Sequence, residues 1–309
     1  MESQVHILFC EDAFEKNKID PDFEEEYLSA KKNSFPTILF NFDDFTMSGG
    51  ISSATKRIKA ADHVMLTIYR GWMLTPNQYD ELYQALLLKN YRLINTTREY
   101  QNCHYLPDSL KFIENKTPRT VFEKLSERDS IEKIIQKAKI FNDNPVIVKD
   151  FVKSEKHDWN TACFVANASD AENIGQIINN FIELRGKYLN ESIVIREFLN
   201  LNDLTVHSKS GMPIKEEYRL FFFNKKLLGI FEYWEEGDYL LSKPDVKEFE
   251  EIAERIESNF FSMDIARKTN GDLVIIELGD GQVSGLSDKV DINEFYQRLQ
   301  KLCSDYLPV

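Results

Sequence analysis

At 309 residues, 42% hydrophobic and 12% aromatic, the chain can bury a sizeable core as two domains or one large one, and no apolar run approaches the roughly 18 residues of a membrane span. Its 51 acidic residues against 38 basic ones give a net charge of -13, which disfavours general affinity for nucleic acid or an anionic membrane and leaves room only for a local basic cleft around a polyphosphate. Four scattered cysteines without a Cys-x-x-Cys pair suit a reducing cytoplasm and argue against structural zinc, and the start MESQVHILFCED lacks the basic region of a signal peptide.

The opening reads as a small parallel α/β unit. HILFCED (6–12) is the first strand. Asp20-Pro21 then starts a helix with a cap residue, a first-turn proline and acids at the positive end of the dipole. TILFNFDDF (37–45) and VMLTIYRGWML (64–74) are the next strands. A helix from Pro76 to Lys89 carries Tyr79, Leu82, Tyr83 and Leu86 on one face, and YRLIN (91–95) is the fourth strand. The active edge of such a unit is the carboxyl end of its strands, where Arg70 stands.

After Thr117-Pro118 the pattern changes. A charged helix is expected over 126–139, a strand in PVIVKDF (145–151), a long helix over about 168–187 and a strand in SIVIREFL (192–199). Residues 200–216 read as a loop. EEYRLFFF and LLGIFEYW follow as a hairpin turning at Asn224-Lys225. A helix over about 245–259, the strands FFSMDIARKT and GDLVIIELG, and a helix over about 291–305 complete the chain.

The last strand pair carries the clearest chemistry. Asn270-Gly271 is a strong two-residue hairpin signal, because both turn positions need positive φ. That turn sets Thr269 opposite Asp272 and therefore Asp264 opposite Glu277. Opposed Cβ atoms lie roughly 4.5–5.5 Å apart, and like charges there repel. A proton or a cation between them removes the repulsion, and hard oxygen ligands suit Mg²⁺. The alternative is a pair at a solvent-exposed hairpin end, or one acid capping the following turn.

Other strand ends add polar groups. Lys149 ends its strand and is followed by DFVKSEKHDW, which places Lys153, Ser154, Lys156 and His157 in one loop, either an ordinary charged turn or a cover for phosphates. REFL (196–199) passes straight from a strand into a connector, which taken alone is simply a strand exit, although its backbone can meet a base edge. Glu217 and Arg219 share one strand face, as a structural ion pair or as an arginine aimed at phosphate charge.

In order and spacing, VIVKD, VIREFL, EYRLFF with NKKLLG, SMDIA and VIIELGDGQ resemble an ATP-grasp domain over about 118–309. YRGWML, NCHYLP and ELGDGQVSGL narrow the resemblance to the R-two-K clade of that superfamily and extend it over nearly the whole chain. The resemblance implies α/β plus α+β architecture: a small Rossmann-like pre-ATP-grasp domain (1–117), then an ATP-grasp fold (118–309) whose two α+β subdomains, about 118–199 and 200–309, clasp ATP.

It further implies that Lys149 contacts the α/β-phosphates with Lys153 as a second contact. Glu197, Phe198 and Leu199 would meet adenine, Glu197 or Asp203 the ribose, and Glu217 would line the nucleotide site. Asp264 and Glu277 would hold Mg²⁺. Many members carry asparagine two residues after the metal-binding glutamate, where this chain has Gly279, so Asp280 or Gln282 is the candidate third ligand. The usual glycine-rich phosphate loop is replaced by KSEKHDW. The implied reaction is ATP-dependent joining of a carboxylate to an amine through an acylphosphate, with Arg219 the electrophilic cation and Arg70, Trp72 and His104 as candidates for the acceptor side; the alternative for Arg70-Gly-Trp72 is a structural arginine packed on an indole. The acceptor is a small molecule, an amino acid or a peptide. Phosphorylation of a hydroxyl, or nucleotide binding without turnover, are the competing readings.

Overall fold

β1 (His6–Cys10) is wholly buried from Ile7 to Cys10, so the strand must be covered on both faces. The computed structural model describes residues 5–125, 129–208, 213–239 and 243–306. β1 lies between β2 (Thr37–Phe40) and β3 (Met65–Arg70), with β4 (Tyr91–Leu93) outside β3 and every neighbour parallel. The connecting helices begin as their sequences predict. Asp20 accepts the Asp22 N–H ahead of a short turn, Pro21–Phe23, and the helix Glu24–Lys32. Thr75 and Gln78 form a capping box on Pro76–Leu87, which buries Tyr79, Leu82 and Leu86.

Two strands are shorter than their apolar runs. β2 stops at Phe40 because Asn41 Oδ1 takes the Asp44 N–H at 2.6 Å, turning the chain into a π-helical turn, Asp44–Ser48, and a helix, Gly50–Thr55. β3 stops at Arg70 because a Cβ on Gly71 would sit 2.5 Å from the Tyr69 ring and 2.6 Å from Cys10 Sγ. Only glycine passes there.

β5 (Thr120–Lys124), β6 (Val146–Lys149), β7 (Phe164–Val165) and β8 (Ser192–Glu197) form an antiparallel sheet in the order β5-β8-β6-β7. β5 was not expected from the sequence. Helices Ser130–Ala138 and Ala171–Arg185 supply Ile134, Ile174, Ile178 and Phe181, which pack on Val146, Val148, Ile193 and Ile195. Of the helix expected over 126–139, residues 126–128 lie outside the described residues. Alternation turns Lys149, Val194 and Arg196 to the other sheet face, with Lys149 paired to Val194 and Ile147 to Arg196.

The expected loop at 200–216 contains two strands, β9 (Asp203–Val206) and β10 (Pro213–Lys215), paired with each other; residues 209–212 lie outside the described residues. β11 (Glu217–Phe223) and β12 (Lys226–Glu232) turn at Asn224 (φ 46°) and Lys225 (φ 67°), so Phe223 pairs with Lys226 across the expected two-residue turn. β13 (Phe260–Arg267) and β14 (Leu273–Asp280) complete a sheet ordered β12-β11-β13-β14, and the helices Lys247–Ala253 and Ile292–Tyr306 flank these strands in sequence.

The Asn270-Gly271 turn differs from expectation. Lys268 O accepts the Gly271 N–H at 2.8 Å, Lys268 N–H donates to Asp272 O at 2.8 Å, and Gly271 alone in the turn has positive φ (92°). This is a three-residue connection closed by a glycine bulge. Lys268, not Thr269, pairs with Asp272, and the direct opposition of Asp264 and Glu277 no longer follows from the turn.

The described residues divide into two compact units. One comprises Met1–Cys103, Leu204–Ile265 and Leu278–Val309; the other comprises His104–Asp203 and Ala266–Glu277. In the first, Ile7, Phe9 and Ile68 of the parallel sheet share a core with Phe221, Phe260, Phe295 and Tyr296. No helix among the described residues is long and apolar enough to cross a membrane. The four cysteines are buried thiols.

Candidate active site

In the unit containing β6 and β8, buried cations meet one carboxylate. Lys149, 6% exposed, places Nζ 3.3 Å from Glu277 Oε2. Burial pulls the Lys149 ammonium below its ordinary range, and Glu277 opposes that pull. Burial pushes the Glu277 carboxyl up, but Lys149, Lys156 and Arg196 outweigh it and hold the group well below the usual carboxylate range. About a third of the Glu277 side chain, 36%, remains open to solvent, so it is reachable by a ligand.

Arg196 completes this cluster. It is 3% exposed, its Nη2 donates to Thr117 Oγ1, and its Nε has no partner. Burial draws its pKa down to about 10, with Glu277 pulling the other way. Sequence reading assigned it no role. The available signal was an arginine inside the buried run SIVIRE, one alternation away from Val194 and facing the same way.

The segment after β6 is anchored by the residue that follows Lys149. Asp150, fully buried, accepts the Val152 and Lys153 N–H groups at 2.7 and 2.5 Å and the Arg185 Nε at 3.2 Å. KSEKHDW, expected as an irregular loop, continues into short helical turns, Lys156–Asp158 and Trp159–Cys163. His104 belongs to this unit and stacks on Tyr105; burial first, then Lys153, lowers its pKa to about 4, so the imidazole is neutral at physiological pH.

The connector after β8 is partly committed to its own unit. Glu197 N–H donates to Arg119 O and Phe198 N–H to Pro145 O, while Glu197 Oε2 receives the Arg119 N–H and Nε. The Phe198 ring packs against Phe164 and Trp159. Leu199 is half-buried, and Asp203 is exposed at the start of β9.

In the other unit, Arg219 forms a bidentate pair with Asp264, Nε to Oδ1 and Nη2 to Oδ2, both at 2.7 Å. Its Nη1 donates to Gly285 O at 2.9 Å, and the guanidinium lies 4.7 Å from the Tyr233 ring centre. These contacts fix the plane of the fork at the wall of a cleft of about 380 Å³ that is also lined by Tyr233, Trp234 and Gly285–Ser287. Glu217, two residues earlier, is buried, and its carbonyl accepts the Tyr239 hydroxyl at 2.7 Å.

Asp280 and Gln282 occupy an interior network. Asp280 accepts Asn95 Nδ2 at 2.6 Å, the Gln282 N–H at 2.9 Å and Gln282 Nε2 at 3.1 Å. Burial raises its carboxyl to about 7 against those three donors. Gln282 also donates to the Tyr79 hydroxyl and accepts the Tyr69 N–H. Gly279 has no room for a side chain while Ser262 and Ser284 hold their mutual hydrogen bond: a Cβ would lie 2.7 Å from each hydroxyl. Asp280 and Gln282, the candidate third ligands, are fully buried and spend their side chains on each other, Asn95, Tyr79 and the Tyr69 N–H.

Arg70 is not available to a substrate. It is 1% exposed and clamps Glu26 through Nε and Nη2 at 2.8 and 2.7 Å, with Nη1 on the carbonyls of Gly281 and Ser284. Its indole neighbour in sequence goes elsewhere: Trp72 packs edge-on against Phe23 and donates Nε1 to Asp20 at 2.7 Å. The Arg70-Gly-Trp72 stretch thus builds the exit of β3.

The donor chemistry fits Mg²⁺ and a polyphosphate. Glu277, open to solvent beside Lys149, is a hard oxygen donor of the kind magnesium takes, commonly one or two protein carboxylates at a time; Asp264 belongs to the other unit, where both its oxygens accept from Arg219. Among the described residues no group of three or more His, Cys, Asp or Glu side chains is placed to hold a metal. The unpartnered Arg196 Nε–H beside Lys149 suits an anion.

Comparison with known proteins agrees in fold. The model for the ATP-grasp domain, R-two-K clade family 3, matches residues 138–299, just over half of the chain. No curated protein matches. A RimK domain protein of the ATP-grasp type from Sphaerobacter thermophilus is similar in structure with TM-score 0.56 at 11% identity, covering 99% of this chain and 100% of that one. The ATP-grasp ligase PsnB, solved with a minimal precursor, Mg and ADP, gives 0.55 at 12% identity with 99% of each chain covered. N5-carboxyaminoimidazole synthetase from Staphylococcus aureus gives 0.59 at 13% identity, over 100% of this chain and 79% of that one.

Proposed function

Because the chain belongs to the R-two-K clade of the ATP-grasp domain family, we propose that it is an ATP-dependent ligase joining a carboxylate to an amine through an acylphosphate, with release of ADP and phosphate. The observation that carries this reading is the pair Lys149 and Arg196 on one sheet face with Glu277 of β14 set against it: buried cations beside a solvent-reachable carboxylate. PsnB, solved with Mg and ADP and with AMPPNP, supports ATP and Mg²⁺ as the cofactors here.

In this reading Lys149 holds the α/β-phosphates, and Lys153 approaches them from the segment that Asp150 anchors. Leu199 and the neighbouring Glu197 and Phe198 flank the base, and Glu197 or Asp203 takes the ribose. Magnesium held by Asp264 and Glu277 would neutralise charge on the transferred phosphoryl group. Arg219, its fork fixed by Asp264 and Gly285 O, offers positive charge to the oxyanion that forms as the amine attacks. Positioning and charge suffice for such chemistry, so no side-chain nucleophile is required. The division into 1–117 and 118–309 is proposed as the family boundary.

Product analysis tests the assignment. Mg-ATP, offered with panels of carboxylates and amines drawn from amino acids, peptides and small metabolites, should yield ADP, phosphate and an amide. A stable phosphorylated hydroxyl product overturns the ligase reading in favour of a kinase. Nucleotide binding with no ADP formed across the panels leaves a non-catalytic binder.

A further inference from the structure

The sheet face carrying Lys149 holds more positive than negative charge. Lys149 and Arg196 are both nearly inaccessible, and Glu277 is the carboxylate that faces them; Lys156 adds to the positive side. The position of Arg196 is built rather than incidental. Its neighbour across β6 is Ile147, and across β5 it is Thr120, so its stem is fixed between two strands. Thr117 donates its hydroxyl proton to Ile275 O at 2.8 Å, which turns an oxygen lone pair toward Arg196 Nη2. One end of the guanidinium is thereby held, and Nε is left buried without an acceptor. Native structures seldom leave a charged donor so.

We propose that Arg196 is a nucleotide-contacting residue, its Nε–H placed beside Lys149 to donate to a phosphate oxygen of the bound nucleotide. This rests on the ATP-dependent reading above and adds a residue to it. A phosphate is selected over the base or ribose because two buried cations share one carboxylate, so the pocket favours a further anion. Glu277 serves as the counter-ion of both cations in the ligand-free protein.

The test is calorimetric binding of Mg-ADP and of adenosine to the full chain, with a thermal melt of the ligand-free protein. Arg196→Met keeps the packing of the stem and removes the donors. It should weaken Mg-ADP binding roughly tenfold to a hundredfold, leave adenosine affinity unchanged, and leave the ligand-free melting temperature unchanged or higher. Unchanged Mg-ADP affinity with a lowered melting temperature overturns the proposal and makes Arg196 a structural residue. Arg196→Lys retains the charge but lacks the fixed fork, and should still lose several-fold in Mg-ADP affinity. Affinity equal to wild type in that variant also overturns the Nε contact. Failure of the wild-type protein to bind either nucleotide sinks the ATP-dependent reading itself, whereas normal wild-type binding with an indifferent Arg196→Met sinks only this inference.

Discussion

Glu277→Gln removes the carboxylate that Lys149 and Arg196 share while keeping shape and one acceptor oxygen. The Lys149–Glu277 pair is separated by 3.3 Å, which corresponds to about 5 kcal/mol of attraction at an effective dielectric of ~20. Because 36% of the Glu277 side chain meets solvent, screening reduces the expected loss to about 2 kcal/mol. For a chain of 309 residues that is a fall in melting temperature of about 3 °C. The loss has a definite pH signature. Glu277 is held below its unfolded value, so its contribution is fully present above the ordinary carboxylate pKa and disappears only as pH falls through the lowered folded value. The deficit should thus be constant from pH 8 to about 5 and shrink in stronger acid. Thermal melts across that range, at fixed protein concentration, read both features. Adding Lys149→Met to the variant should recover part of the stability by removing the orphaned ammonium. A melting temperature within one degree of wild type at neutral pH, or no recovery in the double variant, refutes the shared-counter-ion argument.

Two other outcomes follow from buried groups. Asp280→Asn turns an amide N–H₂ or a single oxygen toward three donors, and should destabilise by about 1–3 kcal/mol at pH 5 by urea titration. Since the native carboxyl is raised to about 7, wild-type stability is greatest below the unfolded pKa and is lost as pH rises through 7, so the deficit of Asp280→Asn should narrow by pH 8. Arg70→Lys, which cannot reproduce the fork on Glu26 together with two carbonyls, should lose about 3–5 kcal/mol of stability. Its nucleotide affinity, measured well below the melting temperature, should match wild type; a selective loss of turnover without loss of stability would restore Arg70 to the acceptor side.

What was legible in the sequence depended on whether local chemistry decided the outcome. The parallel unit was readable because its strands are apolar on both faces, one helix starts at Asp20-Pro21 and the other shows an apolar face from Tyr79 to Leu86. Turns were less obedient. Asn224-Lys225, the weaker signal, forms the two-residue turn, whereas Asn270-Gly271 places only glycine at positive φ and shifts the pairing by one residue. Asn270 instead uses its side chain on Asp272, which a rule about backbone angles does not see. Of the two readings of Arg70 the structural one holds, but on Glu26 and not on the indole; that partner lies 44 positions earlier, and no spacing rule links them. Lys149 was proposed from its strand-end position, and Glu277 from a hairpin register that the glycine bulge does not keep; the structure sets the two 3.3 Å apart for a different reason, as an ion pair. Arg196 was passed over because an arginine inside an apolar strand shows its unpaired nitrogen only once Thr117 and the flanking strands are in place.

The first compact unit is assembled from three separate stretches of chain, and its core sets Ile7 and Phe9 against Phe295 and Tyr296. On the ribosome this imposes an order. The sheet of β5 to β8 has all its strands once residue 197 has emerged, but the much earlier parallel strands wait for the final helix, Ile292–Tyr306, to cover them. During that interval Tyr27 and Ala30 cover only part of their apolar face, and the uncovered part is the kind of surface on which nascent chains recruit chaperones or aggregate. Premature termination shortly before residue 292 would therefore harm the N-terminal strands most, although they were made first and their own sequence is intact.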